Sequence, residues 1–390
     1  MIATLHARAA AVFADPRVRA AFQIFREHEP DIESDQIRIT LVPAPPFQEQ
    51  ERGRHFAQML RSLGFSPTVD AIGNVVFPYE GAGSNPLIVG AHLDTVFPEE
   101  VKLDLQKTGR VVHLPGISDN GAGLVALLWM FRAAREAGLR FGRPVWGVAN
   151  VGEEGQGNLR GIRHAFESKP WGAGPAEFIA LDGGGVHRIT NQGLGSCRYR
   201  VRMSGPGGHS WADFGRPNPV HAMADAIHYF VRSRCGPGTS FNVGVIQGGI
   251  GVNSIPREAV IHVDLRSTSD EHLASLRDRL TQTMRDAASS AGLELVIESV
   301  GVRPLGRTPE QSDLVQAAAE TTRMFGVSPQ LNTGSTDANL PMSLGIPAIA
   351  LGAGGTCGGI HTPEEWFDPT GREVGLQRLL ALVAVRAGLG

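Results

Sequence analysis

The sequence predicts an α/β domain on a mixed, largely parallel sheet, interrupted by a smaller inserted α+β domain. Three observations point there. The chain has 390 residues, longer than one hydrophobic core normally grows. Short apolar runs alternate with helical patterns along most of it, the rhythm of strands joined by helices. The stretch from 193 to 306 breaks that rhythm and reads as a unit of its own. The expected division is therefore residues 1–192 with 307–390 for the first domain, and 193–306 for the insertion.

Taken in order, Gln48 to Leu63 places Phe56, Met59 and Leu60 at helical spacing among charged residues, and Gly64 closes the pattern. Strand-like runs lie around Val69, from Asn74 to Phe77, Leu87 to Val89, Val145 to Val148, Phe178 to Leu181 and Ala348 to Leu351, mostly flanked by Gly, Pro or Asn. Between them, Gly121 to Ala137 sets Leu124, Leu127, Leu128 and Phe131 on one helical face. Within the insertion the reading is strand (Cys197–Met203), helix (Val220–Arg232), strand (Ser240–Gln247), strand (Ala259–Arg266), helix (Glu271–Ala291), strand (Glu294–Val300). That order is the ferredoxin-like β-α-β-β-α-β unit. No solenoid-length repeat or low-complexity tract is present.

Composition narrows the function classes. A formal net charge of -3 with mixed signs along the chain lacks the basic excess of a nucleic-acid binder. No segment has the apolar length to span a bilayer, and Arg8, Asp15, Arg17 and Arg19 interrupt any signal-peptide core. Cys197, Cys235 and Cys357 are far apart with no C-x-x-C pair, which fits a reducing compartment, so the cytoplasm is expected.

The chemistry-bearing residues sit at the C-terminal ends of the expected strands, where open α/β sheets place their sites. In LIVGAHLDTVFP a strand delivers His92, and Asp94 follows two residues later, on the same side if the strand stays extended. A neutral imidazole binds metal while a neighbouring carboxylate fixes its tautomer; the structural alternative is a strand-end histidine beside a solvated aspartate. In GISDNGAGLVALLWMF, Asp119 either caps the following helix or, with Gly116, Gly121 and Gly123 freeing the backbone, is presented inward. In NVGEEGQGNLRG, Glu153 and Glu154 serve one site only if the backbone has left the strand, which Gly152 and Gly155 permit. One of the two then binds metal while the other takes a proton from a metal-bound water; a surface acidic pair is the alternative. FIALDGGG ends in Asp182, and GAGGTCGGIHTPEEWF supplies His361 from a glycine-rich loop.

The ordered set H-x-D, D, E-E, D and H resembles the dinuclear-zinc metallopeptidase family of peptidase T, glutamate carboxypeptidase and aminoacylase, over nearly the whole chain. The resemblance implies a zinc-peptidase catalytic domain with an inserted lid domain. It implies two Zn2+ per subunit, with Co2+ or Mn2+ able to substitute. His92 and Asp182 would hold one ion, Glu154 and His361 the other, and Asp119 would bridge them. Asp94 would orient His92, and Glu153 would be the general acid/base. In GPGGHSWADFGRPNP of the lid, His209 resembles the histidine that crosses a dimer interface to hold the substrate carbonyl oxygen, so a homodimer through the lid is implied. Asn253 in GGIGVNSIP and Arg266 in VDLRS match positions that contact a substrate carboxylate or carbonyl. Ser335 and Thr336, with Asp337, match the segment lining the far end of the pocket, where backbone amides would face an anion.

The implied reaction is hydrolysis of amide bonds in a small peptide, di- or tripeptidase-like. N-acyl or carbamoyl amino acids are the alternative substrates, and a non-catalytic metal-dependent binding protein is the alternative of another class. No nucleic-acid or membrane partner is expected.

Overall fold

Apolar runs flanked by turn-forming residues become the centre of a nine-stranded sheet. Leu87–His92 is buried at every position, as a strand covered on both faces must be. Val145–Asn150 and Glu177–Leu181 run parallel to it on either side, and Ala348–Leu351 runs parallel to Glu177–Leu181. Antiparallel strands extend the sheet, with Val75–Tyr79 and Thr68–Val69 at one side and Arg188–Gly193 and Gly306–Arg307 at the other. Gln330–Gly334 adds in parallel to Arg188–Gly193. The register pairs His92 with Asn150 and Leu181 with Leu351. The C-terminal ends of the four parallel strands therefore finish along one edge.

The computed structural model describes residues 2–79, 81, 85–172, 177–232 and 234–390. They form two compact units: Leu194–Leu305, and the chain on both sides of it. In the sheet-bearing unit, the helix Gly121–Glu136 is buried without a break from Gly121 to Phe131. A helix that is apolar all round must lie inside, and this one shares a core with Arg372–Ala387. Three further helices, Ile2–Ala14, Pro16–Glu27 and Glu29–Thr40, cover that layer through Val12, Val18, Phe22, Phe25 and Ile32. No element before Gln48 is legible in the sequence, because segments of 12–13 residues are marginal helices until packing stabilises them. On the other face of the sheet, Arg160–Ser168 packs Phe166 against Phe178, with Trp171 on the Phe166 ring. A small antiparallel sheet of Gln106–Thr108, Val111–His113, Thr356–Gly358 and Trp366–Asp368 is also new, its strands too short to display alternation.

The second unit contains Gly195–Ser204, Pro219–Val231, Thr239–Gly248, Glu258–Ser267, Asp270–Ala291 and Glu294–Arg303. Its four-stranded sheet is antiparallel, in the spatial order second, third, first, fourth. That is the ferredoxin-like arrangement. Met223 and Phe230 of one helix and Leu276 and Leu280 of the other meet Val201, Ile261 and Leu265 of the sheet. Among the described residues no helix is long and apolar enough to cross a membrane.

Candidate metal centre

The strand Leu87–His92 carries His92 to the sheet edge, where its ring is buried. Nδ1 lies 3.0 Å from the main-chain oxygen of Asp94, a contact that requires Nδ1 to carry the proton and leaves Nε2 as the donor atom for a metal. Nε2 is 3.1 Å from Asp119 Oδ1. The grip on the ring thus differs from the one expected of Asp94. Its carboxylate stands 3.7 Å from Nδ1 and accepts the backbone N–H groups of Glu153 at 2.9 Å and Glu154 at 2.7 Å. Asp94 therefore ties the His92 strand end to the Glu153–Glu154 turn.

The two readings of Asp119 are separated by its neighbour. Asn120 is the helix cap, its Oδ1 accepting from Gly123 N at 3.0 Å while its Nδ2 donates to Leu181 O at 2.8 Å. Asp119 is left to face the histidines. Its loop is held from below by the fully buried Glu365, whose carboxylate accepts from Gly116 N, Ser118 N and Asp119 N at 2.7–2.9 Å. Burial pushes the Glu365 carboxyl up to about 7 in spite of those three amides.

Gly152, at φ +65, turns the chain out of the strand Val145–Asn150. A side chain there would meet Arg160. This turn lets consecutive Glu153 and Glu154 both be buried at one site. His361 reaches in from the glycine-rich loop at φ +65. Its Nε2 lies 3.0 Å from Glu154 Oε1 and 3.1 Å from Asp119 Oδ2. Asp182 follows the end of Glu177–Leu181, and Gly183 after it has φ +65.

Among the described residues, three sets of candidate ligands have their donor atoms within 4.8 Å of one another: His92, Asp119 and Asp182; Asp119, Glu154 and His361; and His92, Glu153 and Glu154. Asp119 belongs to the first two, so one carboxylate joins two adjoining ligand groups. Electrostatics fits the same picture. Burial pushes the Asp182 carboxyl up to about 7, with the Asp119, Glu154 and Asp337 carboxylates adding to the rise against the influence of His92. Against the pull of burial, hydrogen bonds from His361 and His92 hold Asp119 well below the usual carboxylate range. Hydrogen bonds to Asp119 and Glu154 push the His361 imidazole up to about 10. Buried carboxylates in this number require cations; here protonated imidazoles supply part of that charge, and bound metal would supply it in their place.

Thr336 lines a cavity of about 240 Å³ bounded also by Asp119 and Asp182, whereas Ser335 is not in its wall. The expected anion-facing amides are partly engaged. Thr336 N donates to Asn339 Oδ1 and Ala338 N to Thr336 Oγ1, and Asp337 accepts from Asn150 Nδ2 at 2.7 Å. The other expected residues belong to the second unit. His209 pairs with Ser254 across a two-residue ladder, and Ser210 N donates to Asn253 O, so the His209 and Asn253 loops adjoin. Arg266 is bonded through Nε to Asp264 at 2.6 Å.

Two supports of the site carry no signal in the sequence. Glu365 has no local signature, since its partners lie about 250 positions away in sequence. Arg52 is completely buried and donates to the main-chain oxygens of Thr40, Val42 and Leu93, the last between His92 and Asp94. Burial pushes its guanidinium down to about 10.

Comparison with known proteins is decisive for the family, since the profile of peptidase family M20/M25/M40 matches residues 88–385. The chain belongs to this family. It is a hydrolase of the M20 type, and the family includes dinuclear metal-binding members. A tripeptidase from Staphylococcus aureus subsp. aureus Mu50 is similar in structure, with a TM-score of 0.78 and 20% identity over 92% of this chain and 98% of that one. The YXEP protein of Bacillus subtilis, described as a dinuclear metal-binding peptidase from the M20 family, has a TM-score of 0.69 and 16% identity, covering 93% and 99% of the two chains. A succinyl-diaminopimelate desuccinylase of Corynebacterium glutamicum is 22% identical over 81% of this M20 chain and 86% of its own length.

Proposed function

We propose that this M20 hydrolase cleaves the amide bonds of small peptides, in the manner of a di- or tripeptidase, at a dinuclear zinc site. The observation that carries the reading is Asp119, shared between the His92–Asp182 and Glu154–His361 groups with Glu153 buried beside them. His92 and Asp182 are assigned to one ion, Glu154 and His361 to the other, and Asp119 to both. Imidazole and carboxylate donors suit zinc when cysteine is absent from the set, and they also accept cobalt or manganese. When bound, the metal pair supplies Lewis acidity, making water nucleophilic near neutral pH and polarising the scissile carbonyl.

The chain's own residues do the rest. Glu153, buried beside His92 and Glu154, is assigned as the general acid/base: its carboxylate takes the proton of the attacking water and passes it to the leaving amine. Asp94 holds the Glu153 amide and thereby sets where that carboxylate stands. In His209, Nδ1 accepts the N–H groups of Trp211 at 3.2 Å and Ala212 at 3.3 Å, which makes Nε2 the proton-bearing atom and a donor for a carbonyl oxygen. We infer that His209 acts across a homodimer of the second unit, with Asn253 and Arg266 toward substrate. In its support, Trp211, Phe214, Ile250 and Val252 of that unit are large apolar residues on its surface. Three free cysteines agree with a cytoplasmic setting.

The test is metal analysis together with a panel of dipeptides, tripeptides, N-acyl and N-carbamoyl amino acids. Two equivalents of zinc and hydrolysis of small peptides are expected. The desuccinylase relative keeps N-acyl amino acids as the second reading. Bound metal with no hydrolysis of any panel member would instead leave a binding protein, a role in which Glu153 has no task.

A further inference from the structure

The cavity beside Asp119 and Asp182 contains a cation that the proposed reaction does not use. Arg188 lines it, and among the described residues its guanidinium makes no hydrogen bond or ion pair. Arg188 and Thr190 are two apart on Arg188–Gly193 and so share a face. Asn332 is the cross-strand partner of Thr190 and accepts its hydroxyl at 2.8 Å. That bond occupies the amide oxygen of Asn332 and leaves its nitrogen to donate. Arg188, Thr190 and Asn332 thus form one row along the cavity wall. Gly184 and Gly352 also line the cavity, packed so closely that a side chain at Gly352 would strike the main chain of Gly184.

Register fixes the distance from this row to the candidate metal centre. Leu181 pairs with Leu351, and Leu351 pairs with Ile189. Arg188 therefore stands level with Asp182, two strands away, roughly 10 Å at the main chain given about 4.8 Å per strand. An arginine side chain spans much of that gap. A group joined to the scissile carbonyl by a short carbon chain would reach Arg188 while the carbonyl lies at Asp119 and Asp182. The volume of about 240 Å³ admits one small residue or acyl group, below the range of larger ligand sites.

We propose that Arg188, with the Asn332 amide, is the anchor for a carboxylate on the acyl side of the substrate. The preferred substrates are then amides of acidic acyl groups: aspartyl or glutamyl peptides, or dicarboxylic half-amides. This rests on the amide-hydrolase reading and names its substrate class. Arginine meets a carboxylate through two parallel bonds, so the preference is for the charge and for its planar shape.

The experiment compares pairs that differ only in charge: Asp-Xaa against Asn-Xaa, Glu-Xaa against Gln-Xaa, and N-succinyl against N-succinamoyl amino acids. In the zinc-loaded enzyme, kcat/KM for the acidic member should exceed that for its neutral partner by about 10- to 100-fold, the scale of a charge-assisted bond. In Arg188→Ala and Arg188→Gln that ratio should fall toward one, chiefly through KM, and Arg188→Lys should recover part of it. Calorimetric binding of succinate against succinamate to the same proteins reads the same ratio without turnover. If no amide is hydrolysed, the catalytic reading fails while the binding ratio still decides the role of Arg188. A wild-type ratio near or below one, or a ratio unchanged by Arg188→Ala and Arg188→Gln, overturns the proposal.

Discussion

Removing the Glu365 side chain tests whether the Asp119 loop is held in place or merely rests there. In Glu365→Ala, Gly116 N, Ser118 N and Asp119 N lose their common acceptor. Each buried N–H left without a partner costs about 1–3 kcal/mol, so the simple sum is roughly 3–9 kcal/mol. Water entering the space left by the side chain would satisfy part of the set, which brings the expectation to about 3–5 kcal/mol. Glu365→Gln separates the contributions. Its amide oxygen keeps the position of Oε1, which serves Ser118 and Asp119, and its nitrogen meets only Gly116 N. One bond is lost, for about 1–3 kcal/mol. Chemical denaturation of the metal-free proteins measures both, and zinc titration of the folded variants reports the displacement of Asp119. Stability within about 0.5 kcal/mol of wild type for Glu365→Ala, with unchanged zinc affinity, would refute the reasoning.

Three further outcomes are expected at the site. Glu153→Gln should lower kcat by roughly two to four orders of magnitude with zinc content intact; full activity would remove it as the base. Asp119→Ala should lose both ions, because one carboxylate serves both groups, and normal zinc stoichiometry by elemental analysis would contradict the bridge. Hydrogen bonds to Asp119 and Glu154 push the His361 imidazole up to about 10, so a metal binding there would displace a proton. Zinc binding should therefore release protons and tighten as pH rises from 6 to 8, and calorimetry in buffers of different ionisation enthalpy would detect it.

Much of the fold is legible because periodicity and turn residues are local. Strands such as Leu87–His92 and the long helix Gly121–Glu136 stand near where their patterns place them, with ends differing by a few residues. The N-terminal helices are not legible, since their apolar residues take on meaning only against Trp129 and Leu379 in the core. At the site, the structure brings together the side chains of His92, Asp119, Glu154, Asp182 and His361, whose types are among the few that can bind metal. The geometry joining them was less legible. Which atom of Asp94 holds His92, and which of Asp119 and Asn120 caps the helix, depend on distances that no spacing rule contains.

The amino-acid sequence by itself determined the family, the β-α-β-β-α-β insertion and the order of carboxylates and histidines at strand ends, since these rest on residue identity and nearest neighbours along the chain. Only the tertiary structure decided that Glu365 holds the Asp119 loop, that Arg52 props Leu93, and that Arg188 stands level with Asp182. The physical reason is that hydrogen bonds and charge act over a few ångströms of space, while the partners they join here are tens to hundreds of residues apart in the chain.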